Sequence, residues 1–228
     1  MATSQRPHQT TCNSRPYPPD KGVWSTISKS EIQELRSPCA LREYVLAFKK
    51  SVRRDPAEFT RGLLKAGLYK QFLDELVPLS CFAVLAYPED WTVRLFVGNQ
   101  PYDAVAYDAA GDEVDRIELT VPQDGRAEAE DRRLVASRGF GSVAIGHAGD
   151  DLAALLPFIL RTCRAKARKD YSNCTLVVAI ESLTPFGGSE STYTDLVGRL
   201  VGEMRAIGFQ AKRVYLLLMP DNLIEIRH

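Results

Sequence analysis

Two strand-like runs joined by a short turn in the middle of the chain are the feature that most constrains its fold. They cover residues 102–108 and 114–121, and Ala109-Ala110-Gly111-Asp112 lies between them. Two strand-like runs on either side of a glycine-containing turn predict a β-hairpin. The fold must therefore accommodate an antiparallel strand pair at mid-chain.

The predicted hairpin brings two carboxylates towards each other. A two-residue turn at Ala110-Gly111 puts Asp103 opposite Glu118, whereas a turn at Gly111-Asp112 puts it opposite Thr120. Side chains alternate with period two, so both registers keep Asp103, Glu118 and Thr120 on one face of the sheet. Like charges at facing positions destabilise a sheet, and a hard divalent cation bound by oxygen ligands would turn that cost into a binding site.

Size and composition are those of an ordinary globular protein. The chain has 228 residues, of which 45% are hydrophobic and 25% charged. A domain usually spans roughly 100–200 residues, so we expect one α/β domain over residues 29–228, with a helical part at 29–78. Residues 1–28 are rich in Ser, Thr, Pro and Arg and lack periodicity, which predicts a flexible leader.

The formal net charge is zero, but the charges are unevenly distributed. Residues 103–131 contain ten acids against Arg116 and Arg126, while basic runs occupy residues 49–54 and 161–169. Acids in one hairpin with bases on helices either side fit a metal centre flanked by phosphate contacts. The alternative interpretation is that these runs are solvated faces of an ordinary domain.

Cysteine and hydrophobic patterns exclude several classes of protein. The five cysteines are widely spaced without a Cys-x-x-Cys pair, and the three histidines lie far apart, so a zinc site is not expected. No apolar segment approaches the ~20 residues that span a bilayer, and no signal-peptide pattern opens the chain. We therefore expect a reduced, cytoplasmic protein without a membrane partner.

Helix signals are spread over the whole chain. Asp55-Pro56, a cap residue followed by proline, is a strong helix start. Apolar residues recur at helical spacing after Asp150. The predicted helices run from Glu31 to before Pro38, Leu41–Val52, from Asp55 towards Leu76 with a break near Gly67, Arg126–Arg138, Asp150–Lys169 and Thr194–Ile207.

Strand signals alternate with these helices. Thr175–Ile180 and Val214–Leu218 are continuous apolar runs typical of buried central strands. The other predicted strands are Cys81–Tyr87, Trp91–Val97, the two hairpin strands and an edge strand at Leu223–Ile226. This order of elements predicts a mixed central β-sheet flanked by helices.

The chain has Pro101-Tyr102-Asp103 at the start of one predicted strand, Glu118-Leu119-Thr120 in the next, and a basic helix that leads into the strand at 176–180. In this combination, residues 57–218 resemble the restriction-endonuclease-like (PD-(D/E)XK) nuclease superfamily. The resemblance implies that Asp103 and Glu118 bind Mg²⁺ or Mn²⁺. It also implies a glutamate from the preceding helix, for which Glu75 and Glu58 are the candidates.

One position departs from the pattern of the superfamily. Members carry a lysine two residues after the second acid, where it orients or activates the attacking water; this chain has Thr120 there. A hydroxyl carries no positive charge, so either another group replaces the lysine or the site is inert. The candidates are Gln123, which would orient a water, and Lys166 or Lys169 from the long helix.

These observations leave three hypotheses for function. The first is a metal-dependent nuclease for DNA or RNA, with basic side chains holding the substrate backbone: Arg161, Arg164, Lys166, Arg168 and Lys169. The second is an inactive nuclease-like module that binds nucleic acid or protein. The third is a different α/β enzyme that uses the Leu183–Ser191 loop. Two structural roles also remain open, Asp103 as a turn residue and Glu118 as a surface acid paired with Arg116 or Arg94.

Overall fold

The structure is a mixed β-sheet with helices on both faces, as the element order predicts. The computed structural model describes residues 27–122, 125–138, 148–180 and 190–226. Residues 1–26 of the predicted leader lie outside this range, whereas Ile27 is buried and Ser28 caps the first helix.

The first three helices each begin at a side-chain cap, and the second starts three residues before the predicted Leu41. The Ser28 hydroxyl accepts a hydrogen bond from the Glu31 amide, Ser37 caps the helix that starts at Pro38, and Asp55 caps the helix that starts at Pro56. Gly67 has φ of +58° and separates the third helix from the fourth. The elements are α1 (Lys29–Ile32), α2 (Pro38–Val52), α3 (Pro56–Leu63), α4 (Tyr69–Gln71), a π-helical turn (Phe72–Leu76) and α5 (Val77–Ala86).

The prediction of a strand over Cys81–Tyr87 is wrong, because these residues form most of α5 and its C-cap. The seven residues from Val77 to Ala83 are all buried, so the helix has no polar face. An apolar run without a polar face cannot be assigned to helix or strand from its periodicity. Pro78, in the first turn of α5, was the available helix signal.

Six strands form one sheet in sequence order. They are β1 (Thr92–Leu95), β2 (Ala104–Tyr107), β3 (Glu113–Thr120), β4 (Tyr171–Ile180), β5 (Ala211–Leu218) and β6 (Asn222–Ile226). Strands β1, β2 and β3 form an antiparallel meander, β3, β4 and β5 are parallel neighbours, and β6 returns antiparallel as the predicted edge strand. Main-chain atoms of Arg36 pair with Val93 and cover part of the β1 edge.

The parallel strands are connected through helices, of which α7 and α8 pack on one face of the sheet. Helices α6 (Gly125–Arg138) and α7 (Ala148–Ala167) lie between β3 and β4 in the chain, and α8 (Glu190–Arg205) lies between β4 and β5. The predicted helices at Arg126, Asp150 and Thr194 are thereby confirmed, with α8 starting four residues early. Of the Leu183–Ser191 loop, residues 183–189 lie outside the described residues, and the last two belong to α8.

Each face of the sheet has its own hydrophobic core. One core joins α2, α4 and α5 to side chains such as Leu95, Ile117 and Val177. The other joins α7 and α8 to Leu176, Val178 and their neighbours. The molecule is therefore a three-layer α/β/α sandwich, and successive residues of β3 and β4 face opposite cores.

Helix length, hydropathy and thiol state bear on the class of protein. Within the described ranges, no helix combines the length and the hydropathy that spanning a membrane requires. Cys81, Cys163 and Cys174 are free and buried, but Cys39 is disulfide-bonded, so the prediction of a reduced protein is wrong at this cysteine. The cytoplasmic location remains a prediction.

Candidate functional site

The hairpin register places Asp103 beside Glu118. Ala104 pairs with Ile117, and the Asp103 amide donates to the Ile117 carbonyl at 2.9 Å. This is the first of the two predicted registers, although the turn is longer than two residues: Asp108 bonds to Asp112, and a bulge lies between Ala106 and Tyr107. The Asp103 carboxylate extends the hydrogen bonds between the two strands, because its Oδ2 accepts a hydrogen bond from the Leu119 amide at 2.7 Å.

Glu118 points to the α7 face of the sheet. It pairs with Leu176, a member of the core under α7 and α8. Its Oε1 lies 2.6 Å from the Nζ of Lys166, in the last turn of α7, and accepts from the Tyr171 hydroxyl at 3.1 Å. Glu118 therefore pairs with neither Arg116 nor Arg94: Arg116 bonds to Glu113 at 2.6 Å, and Arg94 stacks over Phe96.

A third carboxylate comes from the π-helical turn. The Val77 amide donates to Phe72, five residues back. Pro78 has no amide to give to the carbonyl of Asp74, so the regular ladder of i to i−4 hydrogen bonds is interrupted here. Glu75 lies in this wide turn, close enough to Asp103 and Glu118 for both to act on its charge.

The three carboxylates repel one another in a partly desolvated setting. Burial, then the charges of Asp103 and Asp74, raise the pKa of Glu75 to about 7. Burial and the charge of Glu118 raise the pKa of Asp103 to about 6, although the Leu119 amide and Lys166 oppose the shift. Carboxyl groups with raised pKa values that converge from three elements are typical of functional sites.

The donor chemistry of this carboxylate cluster (Glu75, Asp103 and Glu118) fits a hard divalent cation, because carboxylate oxygens are the ligands that Mg²⁺ and Mn²⁺ prefer. Among the described residues, however, no group of three or more acidic, histidine or cysteine side chains is already arranged to hold a metal. Lys166 and Tyr171 both donate hydrogen bonds to Oε1 of Glu118. Small side-chain movements are therefore needed before the cluster can bind an ion.

The remaining predicted catalytic residues fall in three different places. Thr120 is buried on the same face as Glu118 and pairs with Val178. Gln123 lies outside the described residues. Glu58, the alternative to Glu75, is buried in α3, where it bonds to the Tyr69 hydroxyl and to Arg61. Glu75, rather than Glu58, joins Asp103 and Glu118.

The predicted nucleic-acid contacts separate into two groups. Arg161, Arg164 and Lys169 are exposed. Arg161 lies over the Phe158 ring, and Arg164 is 3.8 Å from Glu203. Lys166 differs, because only 20% of its side chain is accessible and its ammonium group contacts Glu118.

Two features of this region were not assigned from the sequence. Tyr171 begins β4 and places its hydroxyl on Glu118, and its position directly after the basic end of α7 was the available signal. Asp115, counted among the hairpin acids, faces the other core and is buried. Four side chains donate to it: Tyr87, Thr175, Lys212 and Arg213. Asp115 is therefore fully satisfied by protein groups and does not belong to the carboxylate cluster.

Comparison with known proteins finds no relative: no family model, no curated protein and no solved structure matches this chain.

Proposed function

We propose that this protein is a divalent-metal-dependent nuclease with a restriction-endonuclease-like fold, which hydrolyses phosphodiester bonds of nucleic acid. The single observation that supports this most is the meeting of Glu75, Asp103 and Glu118 from a helical turn and two adjacent strands. Three partly buried acids at one point cost folding free energy, and a cation between them would offset that cost.

Each carboxylate is held by its own element. Asp103 is tied to β3 through the Leu119 amide, and Glu118 is held by Lys166 and Tyr171. Glu75 is carried by the π-helical turn before α5. These residues would hold Mg²⁺ or Mn²⁺, which polarises a phosphoryl oxygen and lowers the pKa of a bound water.

Lys166 provides the positive charge that Thr120 lacks. Its Nζ reaches Glu118 from the last turn of α7, on the same face of the sheet. A lysine there would stabilise negative charge that develops on the phosphate or on the attacking oxygen. The exposed side chains of Arg161, Arg164 and Lys169 near the same helix end would hold the substrate backbone.

A second candidate function follows from the contacts of Glu118. One of its oxygens already accepts hydrogen bonds from Lys166 and Tyr171, so the charge of Lys166 neutralises this carboxylate without a metal. In an inactive nuclease-like module, this ion pair would be a structural remnant. Such a module would bind nucleic acid or a protein without hydrolysis.

Cleavage assays with isosteric variants test the proposal. We expect the protein to cut DNA or RNA in Mg²⁺ or Mn²⁺ but not in EDTA. Asp103→Asn and Glu118→Gln each keep the side-chain shape but remove the charge, and we expect rates at least about 100-fold lower in each. Asp112→Asn, an exposed substitution in the turn of the same hairpin, is the matched control.

The outcomes separate the two candidates. Cleavage that persists in both variants at normal melting temperature would overturn the assignment of the site. Nucleic-acid binding without any cleavage, unchanged by Glu118→Gln and by EDTA, would favour the inactive module.

A further inference from the structure

A pair of aromatic rings lies in the loop that leads to Asp103. Phe96 follows β1 and Tyr102 precedes Asp103; their ring centroids are 5.9 Å apart and the rings are perpendicular. The Phe96 amide donates to the Asp103 carbonyl at 2.8 Å, which fixes the aromatic pair to the residue that enters the carboxylate cluster. Both rings are partly exposed.

An arginine guanidinium group lies over each of the two rings. The Arg94 guanidinium lies 5.2 Å from the centre of Phe96, and that of Arg116 lies 5.3 Å from the centre of Tyr102. Arg94 and Arg116 both pair with Val105, one from each side, so they share a face of the sheet. Glu118, two residues after Arg116 on β3, has the same orientation. The aromatic–arginine surface (Arg94, Phe96, Tyr102 and Arg116) therefore adjoins the carboxylate cluster.

We propose that this surface binds single-stranded nucleic acid, with an unpaired base stacked on Phe96 or Tyr102 and neighbouring phosphates on the two arginines. Partly exposed aromatic rings combined with cationic groups are how proteins bind single strands, because every base offers a π-face to a ring. The inference rests on the proposed function and deepens it, since it names the substrate class of the same site.

The arrangement favours a single strand over a duplex. In a duplex the bases are stacked on each other, so phosphate contacts alone remain and the two rings contribute nothing. In a single strand both kinds of group are used, and the stacked base holds the adjacent phosphodiester beside Asp103 and Glu118. A surface that only attracts polyanions would not need two perpendicular rings between its arginines.

Binding can be measured without metal, and so independently of cleavage. The probes are dT12, U12 and a 12-base-pair duplex, each labelled with fluorescein. Their binding is measured by fluorescence anisotropy in EDTA. We expect tighter binding of the single strands than of the duplex, and about 5- to 100-fold weaker single-strand binding in Phe96→Leu or Tyr102→Leu. Tyr102→Phe keeps the ring and should bind as the wild type does. Tyr107→Leu, at the other end of β2, is the control and should also leave binding unchanged.

A second measurement does not depend on the variants folding. A single strand that contains 2-aminopurine should lose fluorescence when it binds wild-type protein, because the base stacks on a ring. Equal affinity for duplex and single strand, or no change in 2-aminopurine emission on binding, would overturn the inference. Preference between dT12 and U12 distinguishes DNA from RNA.

The same data separate this inference from the proposed function. Ring-dependent binding of single strands without metal-dependent cleavage would support the aromatic–arginine surface and contradict the nuclease. Cleavage that is lost in Glu118→Gln, combined with binding that does not depend on the rings, would support the nuclease and contradict the aromatic–arginine surface.

Discussion

At the scale of single residues, Lys166 is the positively charged group that contacts the carboxylate cluster. Its ammonium group contacts Glu118 and opposes the rise in the pKa of Asp103, so it acts on two of the three carboxylates. It reaches them from α7, 48 positions along the chain from Glu118. The position two residues after Glu118 is occupied by a buried threonine, and the positive charge beside Glu118 comes from α7.

Replacing Lys166 should reduce cleavage far more than stability. We expect Lys166→Met to lower the cleavage rate by about 100-fold, because a preorganised charge is lost from the site. Lys166→Arg keeps the charge and should retain part of the activity. Lys29→Met, an exposed lysine on α1, is the control in the same steady-state assay. Full activity in Lys166→Met would show that this lysine has no part in the reaction.

Glu75 should make the metal-free protein less stable as the pH rises. Its pKa is about 7 in the folded protein against an ordinary 4.5, so folding favours the protonated form. The stabilisation that this proton gives is complete below about pH 4.5 and is lost as the pH rises through 7. Above this pH, Glu75 is a carboxylate in the folded protein, where burial and the neighbouring acidic side chains destabilise its charge.

Urea unfolding in EDTA measures this effect. Glu75→Gln mimics the protonated group, so we expect it to be more stable than wild type at pH 8 by an amount on the order of 1–2 kcal/mol, and equal at pH 4.5. Glu203→Gln, with an exposed side chain on α8, should show no such dependence. A Glu75→Gln variant that is less stable than wild type at pH 8 would contradict the account of the cluster.

At the scale of elements, strand β3 serves two different purposes on its two faces. Glu118 faces α7 and belongs to the carboxylate cluster, while Asp115 faces the other core and joins β3 to β4 and β5. Alternation along one strand is sufficient to separate a candidate catalytic acid from a structural one. The sequence shows both as acids in the same acidic hairpin.

Asp115→Asn should therefore reduce stability without affecting chemistry. The change leaves Arg213 without its carboxylate partner, and because Arg213 is partly exposed we expect a cost of about 2–4 kcal/mol. Asp108→Asn is the control, since asparagine keeps the oxygen that accepts the turn amides of Ala110 and Asp112. Chemical denaturation measures both. Loss of cleavage in folded Asp115→Asn protein would place this acid in the site after all.

Sequence patterns predict the periodic elements and the buried strands β4 and β5 correctly, and fail at one helix that is buried on all sides. The position of α7 follows from apolar residues that recur at helical spacing, and that of the hairpin from two strand-like runs that flank a turn. The entirely buried α5 was assigned to a strand because nothing polar marks its helical period. The facing of Asp103 and Glu118 followed from hairpin register. Glu75 is among the predicted metal ligands, but its preference over Glu58 depends on how α3 and the π-helical turn pack on the sheet. The preference for Lys166 over Lys169 depends in the same way on the packing of α7.

On the scale of the whole molecule, the sheet brings distant parts of the chain to one point. Glu75 comes from the N-terminal helical layer, and Asp103 and Glu118 come from the meander. Lys166 comes from α7, and Tyr171 from the start of β4. The two cores hold these elements from opposite faces. A site made in this way exists only in the folded protein, so an ion that binds it should stabilise the entire fold.

The most direct test of the proposed metal site is the anomalous difference density of a crystal soaked in Mn²⁺. The account predicts one strong peak in contact with carboxylate oxygens of both Asp103 and Glu118, with the Lys166 ammonium group displaced from or sharing Glu118. A crystal that shows bound Mn²⁺ elsewhere, or no peak between these two residues while Lys166 stays on Glu118, would contradict it.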